Sequence, residues 1–379
     1  MIGPVMKKPR AAQSGFSLVE LMIASALGMV IVAWLTQLLV DTAKLNREMA
    51  NTNDLMERGR FAMDRLREDI SHAGYWGGYI PTFDDLTWTG QPLDVPTALP
   101  DPCLAFIDWQ ATPGHVPALL GLPLQLHRAS PGAGCNTLLG AESVDAATDV
   151  LIIRHADICS ITTESCADKS SSGLYFQASN CASELASGQL YALDPDRLPL
   201  TEMDCSSPAP ARRFSQNIYF IRDNSWGVPA LYRSAFGYSS GEPRQLTAQE
   251  MVPGVERLRV GLGVDNRSRT GALTDYTLAP LWQEQLSGVV PINRGDGVPD
   301  GPFVYCSEAQ PCTTDDLMNT SAVRLHLLVR AELPTAGYRD TKIYEMGDLS
   351  IGPFNDAYKR HVFSSTVGIH NVALRRETQ

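Results

Sequence analysis

One carboxylate, Glu20, stands inside an apolar run of 25 residues, Phe16–Val40 (FSLVELMIASALGMVIVAWLTQLLV). Placing such a charge in hydrocarbon costs roughly 2.5–3.5 kcal/mol at a helix centre and less near an end, so it is usually kept for a partner. The break Ser14-Gly15 comes immediately before the run. Cleavage between Gly15 and Phe16 would free an amine one helical turn from Glu20, at the same depth. Within one helix, or between neighbouring copies, that amine is a cation for the carboxylate in low dielectric. A conventional secretory signal carries an A-x-A-like cleavage site after its apolar region. None follows here.

Other residue patterns offer weaker chemistry. Gly237-Tyr-Ser239-Ser-Gly241 matches the G-x-S-x-G of a nucleophile elbow, but that elbow needs a helix directly after the serine, and Glu242-Pro243 follows. A surface turn is the better reading. The loop NRGDGVPDG (Asn293–Gly301) places Asp296 and Asp300 among glycines, as a calcium loop would. It lacks the ligand spacing and closing glutamate of an EF-hand, so a plain turn is favoured. The Arg-Gly-Asp within it is too short to define an adhesion site. The seven histidines show no H-E-x-x-H or paired-ligand spacing, and no phosphate-cradling G-x-x-x-x-G-K-[ST] occurs. No catalytic residue, metal or cofactor is expected.

Charge and cysteine use set the compartment. Lys7, Lys8 and Arg10 precede the apolar run, and the chain as a whole carries a net charge of -11. Positive residues beside an apolar span stay cytoplasmic, which puts the bulk of the chain outside. The net charge argues against non-specific nucleic-acid binding, which rests on Lys and Arg neutralising phosphates. All eight cysteines (Cys103, Cys135, Cys159, Cys166, Cys181, Cys205, Cys306 and Cys312) follow the span. An even count in an exported region reads as disulfides. The close pairs Cys159/Cys166 and Cys306/Cys312 are each able to staple a loop, but eight cysteines allow 105 connectivities and the pairing stays open.

The elements that position these residues follow from periodicity. At 1.5 Å rise per residue, Phe16–Val40 is long enough to cross a bilayer. Beyond it, Leu45, Met49, Thr52, Met56, Met63, Leu66 and Ile70 recur on one helical face while charges fill the others. One helix is therefore expected from Phe16 to about His72, ended by Gly74 and Gly77-Gly78. Residues 81–212 are rich in Pro, Gly, Ser and Cys, which favours loops and short edge strands. Asn217–Arg222 and Ala230–Phe236 flank Asn224–Gly227 as a hairpin. Val255–Val264 and Val323–Arg330 alternate with period two, as in a sheet with one buried face. The fold class is α+β: a long N-terminal helix on an antiparallel sheet, with a disulfide-containing, loop-rich elaboration. Its expected parts are a leader 1–15, a membrane and assembly helix 16–40, an amphipathic continuation 41–76 and a β-rich head 77–379.

The stretch KKPRAAQSGFSLVELMIASALGMVIV resembles the prepilin signal of type IV pilins and type II secretion pseudopilins. That resemblance implies cleavage after Gly15 by prepilin peptidase, methylation of Phe16, and Glu20 as the determinant of assembly. The chain departs from many major pilins in having no proline between Phe16 and Tyr79; Gly28 is the one weak point inside the span. RGRFAMDRLREDISHAGYWG (Arg58–Gly77), WGVPALYR (Trp226–Arg233), PGVERLRVGLGVD (Pro253–Asp265) and HVFSSTVGIHN near the end resemble the PilW group of minor pilins. The implied role is to join other minor pilins and the major pilin in a priming or tip complex on the inner-membrane assembly platform, with a tip adhesin as a further partner. The implied topology is a single pass through the inner membrane, head periplasmic, before transfer to the pilus base or tip. A minor pseudopilin of type II secretion shares Gly15, Phe16 and Glu20. A membrane-anchored binding protein or hydrolase is the alternative of another class, in which Ser239 would matter and Glu20 would not.

Overall fold

The computed structural model describes residues 15, 17–128, 135–140, 148–161, 173–285 and 288–377. The chain divides into two compact units, Met1–Asn53 and Asp54–Gln379. Helix α1 spans Leu18–His72. Gly28 does not interrupt it. In the first unit its apolar side chains are exposed, among them Leu21, Ile23, Leu27, Ile31, Trp34 and Leu38. The hydroxyls of Ser25, Thr36 and Thr42 donate to the carbonyls of Met22, Val32 and Leu38, which satisfies them without water.

The periodic stripe divides at the unit boundary. Leu45 and Met49 are exposed, whereas Met63, Leu66 and Ile70 are buried beside Leu55, Gly59 and Ala62. Burying Leu66 and Ile70 stabilises the second unit by about 2 kcal/mol each. Gly59 belongs to the contact too, since a Cβ there would meet the Phe363 ring. The helix stops where Gly74 takes a positive φ of 76°, and the Gly74 N–H donates to the Arg154 carbonyl.

The second unit holds two main sheets. The first has eight strands: β1 (Leu124–Arg128), β2 (Asp149–Ser160), β3 (Tyr175–Ala178), β4 (Tyr191–Asp194), β5 (Ala211–Asp223), β6 (Pro229–Ser239), β7 (Glu242–Gln245) and β8 (Gln249–Pro253). Its order is β1-β2-β5-β3-β4, with β6 also on β5 and β7 and β8 on β6. The second sheet contains β9 (Val255–Val264), followed after the small hairpin β10 (Trp282–Gln285) and β11 (Gly288–Pro291) by β12 (Thr320–Arg330). A second small hairpin, β13 (Tyr344–Met346) and β14 (Leu349–Ile351), precedes β15 (Arg360–Gly368), and the order is β15-β12-β9. All pairings described are antiparallel. Gly254 carries the chain from one sheet to the other at φ 88°, where a Cβ would sit 2.8 Å from the Arg330 carbonyl oxygen. One core joins Leu66 and Ile70 of α1, Leu151 and Tyr219 of the first sheet, and Leu258 and Leu325 of the second.

Residues 81–123 fit the expectation of a loop-rich segment, with one helical turn at Phe106–Asp108 and a short helix α2 (His115–Gly121). The expectation of short edge strands fails at β2. That strand is interior, and its first eight residues are buried. A strand covered on both faces reads as a continuous apolar run, as VLII does, so alternation gives no sign of it. Disulfides join Cys103 to Cys135, Cys181 to Cys205 and Cys306 to Cys312, with Cα separations of 5.2, 4.9 and 5.2 Å. Cys159 is disulfide-bonded as well, and Cys166 lies outside the described residues.

Where α1 meets the first sheet, Asp69 binds His155 of β2 (Nε2 to Oδ1, 2.9 Å) and the Asn217 amide of β5 (3.0 Å). Burial alone would depress the His155 pKa, but hydrogen bonding and charge attraction from Asp69 outweigh it and raise the value. A raised histidine pKa means the folded state holds its proton longer than the unfolded state, whose value is about 6.5. The stabilisation is therefore complete below about pH 6.5 and is lost as pH rises through the folded-state pKa. Urea midpoints between about pH 5.5 and 8.5 should fall for the native chain and stay flatter for His155→Gln. Equal slopes would remove the pair from the account.

Candidate processing and assembly site

Gly15 and Ser17 lie just outside the first turn of α1, and Phe16 lies outside the described residues. Gly15 is exposed and has open space where a Cβ would project, so packing within the chain does not require glycine there. Ser17 is the residue before the first helical position. Its carbonyl accepts the Leu21 N–H at 3.1 Å, and its own N–H donates to Glu20 Oε2 at 2.9 Å. Glu20 is thus the third helical residue reaching back to the cap, which is one half of a capping box. The Ser17-Leu-Val-Glu20 spacing was the available signal for this bond, and a reading that took Glu20 as a membrane charge alone passes over it.

Two effects hold the carboxylate at this place. The hydrogen bond satisfies one of the four N–H groups that a helix start leaves without partners. The positive end of the helix dipole favours an anion in the first turn by about 0.3–1 kcal/mol. Glu20 Oε1 has no hydrogen-bond partner among the described residues. A carboxylate with one oxygen used by its own helix and the other open can still accept a second cationic donor.

The remaining candidates are absorbed by structure. Ser239 ends β6, and Ser240 (φ 57°) and Gly241 (φ 86°) turn the chain into β7. The G-x-S-x-G therefore sits in a β-hairpin, without the strand-to-helix turn that exposes a nucleophile. In the 293–301 loop, Asp296 Oδ1 accepts the Val298 N–H and Asp300 Oδ2 accepts the Arg267 N–H. Arg294 of the Arg-Gly-Asp is fully buried and donates to the carbonyls of Phe83, Asp275, Asn293 and Leu278. No partner can reach it in the folded chain. Asp101, Cys103 and Cys135 come close enough to hold a metal, but both sulfurs belong to one disulfide and offer no thiolate. Three of the histidines, His115, His155 and His326, are buried. They serve as packed or hydrogen-bonded side chains.

The family model described as prokaryotic N-terminal methylation motif matches residues 10–36, which includes Gly15, Ser17, Glu20 and all but the last four residues of the apolar run. A second, described as type IV pilus-assembly protein W, matches residues 218–371, from within β5 to the start of the C-terminal helix His370–Arg376. No curated protein and no solved structure matches the chain. The first match covers the anchor, with its capped glutamate and exposed apolar helix. The second covers the sheet that packs on the continuation of that helix. With the methylation motif at one end and the pilus-assembly sheet at the other, the two matches support a PilW-type minor pilin with a class III prepilin signal.

Proposed function

We propose that prepilin peptidase cleaves this chain between Gly15 and Phe16 and that Phe16 is then N-methylated. The mature Phe16–Val40 helix anchors the protein in the inner membrane with its head outside. There it packs with other minor pilins and the major pilin to start pilus extension in a priming or tip complex. The observation that carries this reading is the state of Glu20. It is held in the first helical turn by Ser17, at the head of an exposed apolar helix long enough to span a membrane. A large head with several disulfides suits an end position, because bulk is hard to repeat along a shaft. The protein's role in this reading is structural.

Mass spectrometry of the mature N-terminus tests the processing step. The expected species begins with N-methyl-Phe16. An intact leader, or a cut beyond Val40, would overturn the proposal. Deleting the gene separates the pilus role from a role in type II secretion: pili should be lost while secreted enzymes persist, and the opposite result would assign the chain to secretion.

A further inference from the structure

The part of the head outside the matched 218–371 segment contains a groove of about 640 Å³, within the range of ligand sites. It runs between β4 and the segment that leads into α2. Tyr79, Trp109, Val116, Tyr191, Leu193 and Arg197 line it. Among the described residues, strand β4 is the last strand on its side of the eight-stranded sheet and pairs only with β3. The Ser179 N–H donates to the Leu190 carbonyl at 3.0 Å, and the register pairs Gln177 with Ala192 and Tyr175 with Asp194. Antiparallel pairing alternates, so Leu190, Ala192 and Asp194 turn their backbone groups towards β3. Tyr191 and Leu193 turn theirs the other way, and no described residue pairs with them.

The charges on the groove are just as uneven. Asp94 accepts from the Tyr79 hydroxyl, the Thr82 N–H and hydroxyl, and the Phe83 N–H. Asp194 accepts from the N–H groups of Asp196 and Arg197. Both carboxylates are used within the fold. The Arg197 side chain is exposed and makes no hydrogen bond or ion pair among the described residues. Among the described residues the groove therefore offers an unpaired strand edge, an aromatic and aliphatic floor, and one uncommitted cation.

We infer that this groove binds an extended peptide segment of a partner protein, which adds as a strand to β4 through Tyr191 and Leu193 and places a carboxylate on Arg197. Backbone pairing at a free edge gives affinity, and pockets for alternate side chains give selectivity. A guanidinium is suited to a carboxylate because it donates two parallel hydrogen bonds.

The full-length chain in detergent micelles is titrated with a library of acetylated heptapeptides, made once with a free C-terminal carboxylate and once as the amide. Fluorescence polarisation reports binding. Carboxylate peptides should bind, and amidation or Arg197→Ala should weaken them on the order of tenfold. Leu193→Pro removes an outward N–H and leaves the bonds to β3 in place, so it should abolish binding. If that variant fails to fold, N-methylation of alternate amides in the peptide tests the same bonds on the native chain, and it should abolish binding too. Overturning results are an absence of peptide binding, binding indifferent to peptide N-methylation, or equal binding of carboxylate and amide. Binding of oligosaccharides on a glycan array, with no peptide binding, would likewise overturn it and give the groove to sugars.

Discussion

Glu20→Ala should leave the protein in the membrane fraction and remove it from sheared pili. The argument is electrostatic. In the proposed mature protein the amine of Phe16 would be a cation at the head of an apolar helix, and each neighbouring helix in a bundle would bring a Glu20 near that depth. At an effective dielectric of 20, two unit charges about 4 Å apart attract by about 4 kcal/mol. Even half of that corresponds to more than a tenfold change in incorporation, since about 1.4 kcal/mol is a factor of ten. The bond from Ser17 to Glu20 makes a second variant decisive. Glu20→Gln keeps an oxygen able to accept the Ser17 N–H, because glutamine serves in a capping box as glutamate does. If Glu20 acts only as a cap, Gln should restore incorporation. If its charge is what neighbouring helices use, Gln should fail as Ala does, and that is the expected result. Immunoblots of sheared pili and membranes, with the mature N-terminus confirmed by mass, read both variants. Normal incorporation of Glu20→Ala would end the assembly role assigned to this residue.

The sequence was most legible where one periodicity ran unopposed. The helix expected from Phe16 to about His72 is seen as α1 from Leu18 to His72, and the hairpin around Asn224–Gly227 is β5 and β6. Val255–Val264 is β9 to the residue, and Val323–Arg330 lies within β12. What periodicity could not reveal was burial on the second face. Arg259 alternates with apolar neighbours and so reads as solvent-facing, yet it is 2 % exposed. Asp149, Asp348 and the Cys306 carbonyl take its donors, and its guanidinium lies over the Tyr305 ring. Those partners come from distant parts of the chain, and only tertiary packing brings them together. The two candidate sites differ in the same way. The spacing of Gly15, Phe16 and Glu20 was visible, whereas the groove beside β4 draws on Tyr79, residues 93–117 and residues 188–199. No local spacing encodes such a site.

Arg360→Met should be the most damaging single change in the head. Arg360 opens β15 with its side chain 1 % exposed. Its Nε and Nη2 bind the two oxygens of Glu256 at 2.6 and 3.0 Å. Nη1 reaches Asp340 at 2.9 Å and Asp356 at 2.7 Å, and Nη2 reaches Asp356 again at 2.7 Å. The guanidinium lies 3.8 Å from the centre of the Phe354 ring. Methionine matches the apolar stem and packs on Phe354, but it takes the guanidinium from three carboxylates: Glu256 keeps Arg330 at 3.6 Å, while Asp340, fully buried, and Asp356 lose their arginine. Removing one partner of a buried ion pair costs about 3–5 kcal/mol, because the other charge stays without compensation. Part of that loss should be recoverable with acid. In the native chain the hydrogen bonds from Arg360 hold the Asp356 carboxyl below the usual carboxylate range, a stabilisation present at neutral pH and lost as pH falls through the folded pKa, so the gap to the variant narrows in acid. Arg360→Lys tests the geometry separately from the charge. A compact ammonium cannot reproduce a planar fork spread over three carboxylates, so lysine should recover only part of the stability. Urea midpoints of the two variants at about pH 7 and pH 4.5 check each step. A methionine variant as stable as the native chain at neutral pH would show that the three acids tolerate one another without Arg360.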